Sequence, residues 1–268
     1  MRNRLKWLGL LTVCGCAPLV ASGVEIDLVV PADESIRFGF SIENDRYVVG
    51  EPMWAQATVS NGSPQEIWLA IQYRPDNSYR FFVEDNAAER LDPYYYMGGF
   101  FEKEPVPPGG VHVRRILLSS YLRFNRPGTF CVSCMPTFPI ETPDGKRWIE
   151  GRFGDEVEMV RDDEKLRKIV AGLEGGLDAR DWEARENAIR QLVVVRHPLA
   201  LAPLQRVLAD SDRSHVQSAL EGIAGTEGAE ARDILTDFVR RQGNTRIGQY
   251  ARRLLERRDA AAAAPPVD

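Results

Sequence analysis

The chain has 268 residues, 44 % hydrophobic and 27 % charged, which excludes a wholly disordered or fibrous protein and leaves room for two ordinary domains. Its formal net charge of −5, from 34 basic and 39 acidic residues, provides no general attraction for phosphate backbones, so nucleic acid is not expected as a partner. After Gly23 no apolar run reaches the roughly twenty residues that cross a bilayer.

Residues 1–23 read as a secretory signal peptide. Arg2, Arg4 and Lys6 precede an apolar run from Trp7 to Val20, and Ala21, Ser22 and Gly23 supply small residues for cleavage. Val13-Cys14-Gly15-Cys16 resembles a bacterial lipobox, which implies lipidation of Cys16. Ordinary cleavage near Ser22 or Gly23, discarding both cysteines, is the competing reading, and both stay open. The mature protein is expected in the periplasm or as a membrane-anchored lipoprotein, with membrane contact only through a lipid.

Residues 24–161 have a period of two. Ile26, Leu28 and Val30 alternate, then Ile36, Phe38 and Phe40, then Met53, Ala55, Ala57 and Val59, and later Val111, Val113 and Ile116 with a slip. Gly-Pro and Asn-Gly turn chemistry separates these runs at Gly50-Glu51-Pro52, Asn61-Gly62, Pro108-Gly109-Gly110 and Pro127-Gly128. Short strands at this spacing predict an antiparallel β-sandwich with Greek-key connections. VVGEPMWAQATVSNGSPQEIWL and RPGTFCVSC resemble the opening and a later strand of bacterial immunoglobulin-like domains, a resemblance that implies binding or spacing rather than chemistry.

From Asp162 the period becomes 3.6. Leu166, Ile169, Val170 and Leu173 form one helical stripe ending at Gly175-Gly176, and about six helices are expected. Ala188, Ala219 and Ala251 recur at intervals of 31 and 32 residues; Leu192, Ile223 and Leu255 follow the same intervals, while Leu204 and Leu235, and Val207 and Phe238, lie 31 apart. A period near thirty built from two helical segments predicts a solenoid over residues 162–258. The segments around the three alanines resemble the Val-Arg-x-x-Ala signature of HEAT repeats, with Arg185 as the arginine. The fold class expected is therefore multidomain: an all-β immunoglobulin-like sandwich followed by an all-α HEAT-like solenoid. The stretch from Asp259 to Asp268 is alanine-rich and predicted to fray.

Few residues suggest catalysis. Cys131-Val132-Ser133-Cys134 has redox or half-zinc spacing, but an extended strand separates the two Cα atoms by ~10 Å, beyond the ~7 Å that a disulfide spans. Two separate thiols, or a disulfide across a bend before Pro136, are the readings left. His112, His197 and His215 are scattered without a metal-ligand pairing, and no phosphate loop or nucleophile elbow occurs. No cofactor or metal is implied. Binding signals are stronger: Tyr94, Tyr95, Tyr96, Phe100 and Phe101 surround Gly98-Gly99, and these residue types anchor interfaces or stack on sugars. Arg252 and Arg253 stand in a C-terminal segment with seven arginines against Glu256, facing either solvent as a polar cap or an anionic partner. The sequence thus predicts an exported, non-enzymatic interaction module or scaffold of the cell envelope, with envelope proteins as partners. A glycan-binding protein using the aromatic loop is the alternative.

Overall fold

The computed structural model describes residues 35–72, 78–84, 88–91, 101–149, 151–210 and 212–263. The expected strands at Ile26–Val30, the candidate Cys16 and most of the aromatic loop lie outside them.

Thirteen strands precede six helices. The strands are β1 (Ile36–Ile42), β2 (Arg46–Val48), β3 (Trp54–Asn61), β4 (Ile67–Gln72), β5 (Tyr79–Val83), β6 (Glu89–Arg90), β7 (Phe101–Val106), β8 (Val111–Leu117), β9 (Leu122–Arg123), β10 (Gly128–Pro136), β11 (Pro139–Thr142), β12 (Gly145–Trp148) and β13 (Phe153–Val160). They form four sheets, ordered β1-β3-β8, β2-β13-β10-β5, β12-β11-β4-β7 and β6-β9. The helices are α1 (Asp163–Gly176), α2 (Trp182–Val195), α3 (Leu201–Val207), α4 (Arg213–Ala224), α5 (Ala229–Gln242) and α6 (Arg246–Ala263).

This mixed fold corrects the expected fold class. Strand alternation predicts two antiparallel sheets, whereas the described strands are spread over four, and β2 runs parallel to β13. Alternation specifies which face of a strand is buried and is silent on which strand lies beside it. The helical part is not a solenoid: it has six helices, α3 is only seven residues long, and its core takes in Val48 from β2. Apolar faces that a longer array would cover with further repeats are covered here by neighbouring helices and by a strand.

The strand core lies between the sheets. Met53, Ala55, Ala57 and Val59 are buried with Leu69 and Ile71 of β4, Val132 and Cys134 of β10 and Val157 of β13. The slip predicted in β8 resolves against the valines. Val111 and Val113 are 52 % and 55 % exposed, while His112 and Arg114 pair in register with Val59 and Ala57 and share their inward face with Ile116. Glu104 of β7 makes this possible, with Oε2 2.9 Å from His112 Nδ1 and Oε1 4.0 Å from Arg114 Nη1.

The helices begin where their capping chemistry places them. Asp162, Asp181 and Asp212 each accept a backbone N–H of the first turn, from Lys165 at 2.8 Å, Ala184 at 3.2 Å and Ser214 at 2.8 Å. Ala188, Ala219 and Ala251 are buried where helices pack closely, as are Leu192, Ile223, Leu204 and Leu235. α6 continues to Ala263, past the point where fraying is predicted, because alanine favours helix and Arg232 forks onto Asp259 at 2.9 and 3.1 Å.

Strand and helix parts meet through specific contacts. Val48 joins the core formed by Leu166, Val170 and Leu192. Lys165 reaches Glu51 at 3.2 Å, and Trp54 Nε1 donates to Gln191 Oε1 at 3.4 Å. Gly50, at φ +90°, turns the chain between β2 and β3 close against the helices; a Cβ there would sit 3.3 Å from Val195 O and 3.5 Å from a Leu166 methyl.

Candidate functional site

An open cleft of about 230 Å³ lies at this junction. Its strand-side wall comes from the turn at Val49–Glu51, Met53, the segment Leu122–Asn125 and Met159, and its helix-side wall from Val194–His197 and Glu227. Its wall mixes the buried apolar side chains of Met53, Leu122, Phe124, Met159 and Val195 with the polar groups of Glu51, Arg123, Asn125, Arg196 and Glu227. A concave surface on which polar groups converge beside apolar ones is the usual form of a binding site.

Arg196 is its most unusual residue. It ends α2 in the left-handed region, with φ 46° and ψ 37°, and is the one described residue other than glycine with positive φ. Pro198 two residues on starts a 3-10 turn over Pro198–Ala200, and His197 caps that turn by accepting the Leu199 N–H on Nδ1 at 3.3 Å. α2 therefore stops abruptly, and the arginine carries a strain of ~1–3 kcal/mol that a glycine would avoid. Its side chain lies against Gly225, where an added Cβ would come within 3.0 Å of Nε.

The guanidinium is poorly served for its charge. Nε is buried without a hydrogen-bond partner, and among the described residues Arg196 forms no ion pair. Burial pushes its pKa down, the Arg123 charge adds to that, and Glu89 and Glu221 oppose it. Arginine nonetheless keeps its proton in proteins, so the group stays cationic. The other cleft charges are matched: Arg123 lies 3.5 Å from Glu89 and 3.3 Å from Glu227, and Glu51 accepts from Val48 N–H at 2.8 Å and from Lys165.

His215 is buried in a second charged cluster. Its Nδ1 is 3.0 Å from Asp210 Oδ2, which also accepts Arg185 Nη2 at 2.6 Å. Its Nε2 is 2.8 Å from Glu186, but the oxygen lies off the hydrogen-bond direction, so that contact is electrostatic. Burial pushes the Asp210 carboxyl up, yet the Asp212 N–H, His215 and Arg185 together hold it below its usual 3.8. With its groups turned on one another across α2 and α4, this cluster is a clamp between helices. In the strand core, burial pushes His112 down against the pull of Glu104, and its Nε2 has no partner.

Of the residues singled out from sequence, Tyr94, Tyr95, Tyr96 and Phe100 lie outside the described residues, and Phe101 opens β7 opposite Gln72. Arg252 and Arg253 are exposed on α6, with the Arg253 guanidinium 5.7 Å from the Tyr250 ring centre. Arg258 differs from them, donating to the carbonyls of Ala224 at 2.9 Å, Thr226, and Gly228 at 2.7 Å, so it closes the α4–α5 connection instead of facing a partner. Cys131 and Cys134 are not bonded to each other, and burial pushes the Cys134 thiol far up. Among the described residues no cluster of His, Cys, Asp and Glu could hold a metal, and no helix is long and apolar enough to cross a membrane.

Sequence reasoning missed the cleft and also a sheet face. Trp68 and Trp148 are 39 % and 57 % exposed. The register sets Trp68 opposite Pro105 and Glu141, and Trp148 opposite Pro139, all on the outward face of one sheet. Lys103 and Lys146 both reach Glu141 on that face, at 2.6 and 3.3 Å. Two strand spacings and two residues separate the tryptophans, or about 12 Å. The signal available in sequence was Trp68 itself, out of phase with the buried Ile67, Leu69 and Ile71.

No family model matches the chain, and no curated protein matches it. Solved structures with similar parts include the β-glucosidase EmGH1 from Erythrobacter marinus, at 11 % identity and a TM-score of 0.26, over 47 % of this chain and 15 % of that one. The alkylpurine DNA glycosylase AlkC from Pseudomonas fluorescens aligns at 12 % identity and a TM-score of 0.25, over 49 % of this chain and 32 % of its own. A protein from Archaeoglobus fulgidus aligns at 16 % and 0.25, over 48 % of this chain and 97 % of its own. The chain thus spans less than a third of the first two structures' length, and TM-scores of this size do not establish a shared fold.

Proposed function

We propose that the protein is an exported, non-enzymatic interaction module or scaffold of the cell envelope, lipid-anchored through Cys16 or secreted free, and that the junction cleft is its main receptor surface. The observation that carries this reading is the cleft itself, walled by strand residues on one side and helix residues on the other. Contacts through Val48, Trp54 and Lys165 preorganise it, which lowers the cost of ordering a binding surface. A photo-cross-linker at Asn125, exposed on the cleft rim, should capture one recurrent envelope protein in living cells; the same group at Arg167 on α1 should not. Equal capture from both positions, or none from Asn125, would count against the proposal.

The Trp68 and Trp148 face favours a second reading, glycan binding. Exposed tryptophans at positions about 12 Å apart on one sheet face suit stacking against an extended sugar chain, with the Lys103, Glu141 and Lys146 polar row available for its hydroxyls. Affinity gel electrophoresis in soluble polysaccharides distinguishes the readings. Retardation that disappears in a Trp68→Ala, Trp148→Ala variant supports the glycan; unretarded wild type removes it.

A further inference from the structure

We infer that the cleft is a receptor for a carboxylate carried on a short apolar body, gripped by the Arg196 guanidinium with Arg123 beside it. The inference rests on the reading of the cleft as a binding surface and names the ligand's chemistry.

Three observations converge on it. First, Arg196 is held in place by covalent geometry: α2 ends at it, Pro198 forbids continuation, and Gly225 leaves just enough room for its side chain to lie flat. Such a fixed fork is suited to bidentate recognition of a planar oxyanion. Second, Arg196 forms no ion pair within the described residues, whereas Arg123 is shared by Glu89 and Glu227 and Glu51 has Lys165. These charges balance overall, three against three, so a ligand that brings a single negative charge to Arg196 suits the site better than a phosphate dianion. Third, beside these charged groups the lining includes the apolar side chains of Met53, Leu122 and Phe124, which suit an aliphatic or aromatic body next to the carboxylate.

An aliphatic carboxylate can come from a free organic acid or from the C-terminus of a partner polypeptide, and the two present the same group to Arg196. Isothermal titration of the full mature chain separates them, with N-acetyl-leucine as one probe and a hexapeptide ending in leucine as the other, each paired with its C-terminal amide. We expect at least one acid to bind about tenfold or more tightly than its amide, since a charge-assisted pair would be lost. Preference for N-acetyl-leucine points to a small acid, and preference for the hexapeptide acid to a polypeptide terminus. Arg196→Gln should erase the acid-over-amide ratio and Arg196→Lys should restore part of it; if the Gln variant does not fold, Arg123→Gln, which should reduce the ratio severalfold, takes its place. Acids and amides binding equally, neither probe binding, or a ratio unchanged in folded Arg196→Gln would overturn the inference. Cross-linking from Asn125 that persists alongside any of those results would leave the interaction reading intact, whereas loss of both would remove the two together.

Discussion

The helical and strand regions are built from equally regular patterns, and they differ in how far those patterns reach. In the helices, residues spaced 31 and 32 apart in sequence meet the same fate in space: Ala188, Ala219 and Ala251 are buried where neighbouring helices touch. In the strands, alternation finds the buried faces of β3 and β4 but not the parallel pairing of β2 with β13, over a hundred residues away in the chain. Helix contacts are local and repeat, so a period encodes them; strand neighbours are chosen by distant closure and by polar exceptions.

The comparison can be broken at positions where sequence equivalence and burial part. Leu192 and Leu255 occupy matching repeat positions, yet Leu192 is fully buried and Leu255 only partly. Leu192→Ala should cost about 2–5 kcal/mol in urea unfolding, the range for a core leucine, and Leu255→Ala clearly less. Equal losses would show that the repeat positions are energetically equivalent despite their unequal burial.

A smaller effect tests the clamp between α2 and α4. Asp210→Asn should cost about 1–3 kcal/mol, because Arg185 and His215 lose their charged acceptor. The folded Asp210 carboxyl is held below its usual 3.8, so its contribution is present above the unfolded value and is lost as pH falls through the folded one. The wild type should therefore lose stability on acidification below about pH 4, and Asp210→Asn should flatten that limb. An unchanged acid limb in the variant would mean that other carboxylates carry it.

Smallest of all should be Val113→Thr. The alternation of β8 predicts Val113 inward, whereas the structure exposes it and turns His112 in. A change within ~0.5 kcal/mol agrees with exposure. A loss of more than ~1 kcal/mol would return Val113 to the core and reverse the β8 register.

These cases show what was legible. The strand-to-helix change near Asp162 and the small residues at helix contacts follow from local chemistry, and each is visible in a few neighbouring residues. The candidate site was not. Arg196 gains its character from a left-handed backbone, from Gly225 just past the end of α4, and from Arg123 some seventy residues earlier, and no local pattern joins them. The outward face of Trp68 and Trp148 likewise needs the register of three strands before its residues come together.

The central claim is that strand and helix parts form one body because Val48 completes the helical core and thereby fixes the cleft. Expressing residues 162–268 alone and following their urea unfolding by circular dichroism tests this most directly. The account predicts a fragment without a cooperative transition, or with a midpoint well below that of the full chain. A monomeric fragment unfolding cooperatively at the full-length midpoint would contradict it, since the helices would then need nothing from the strands.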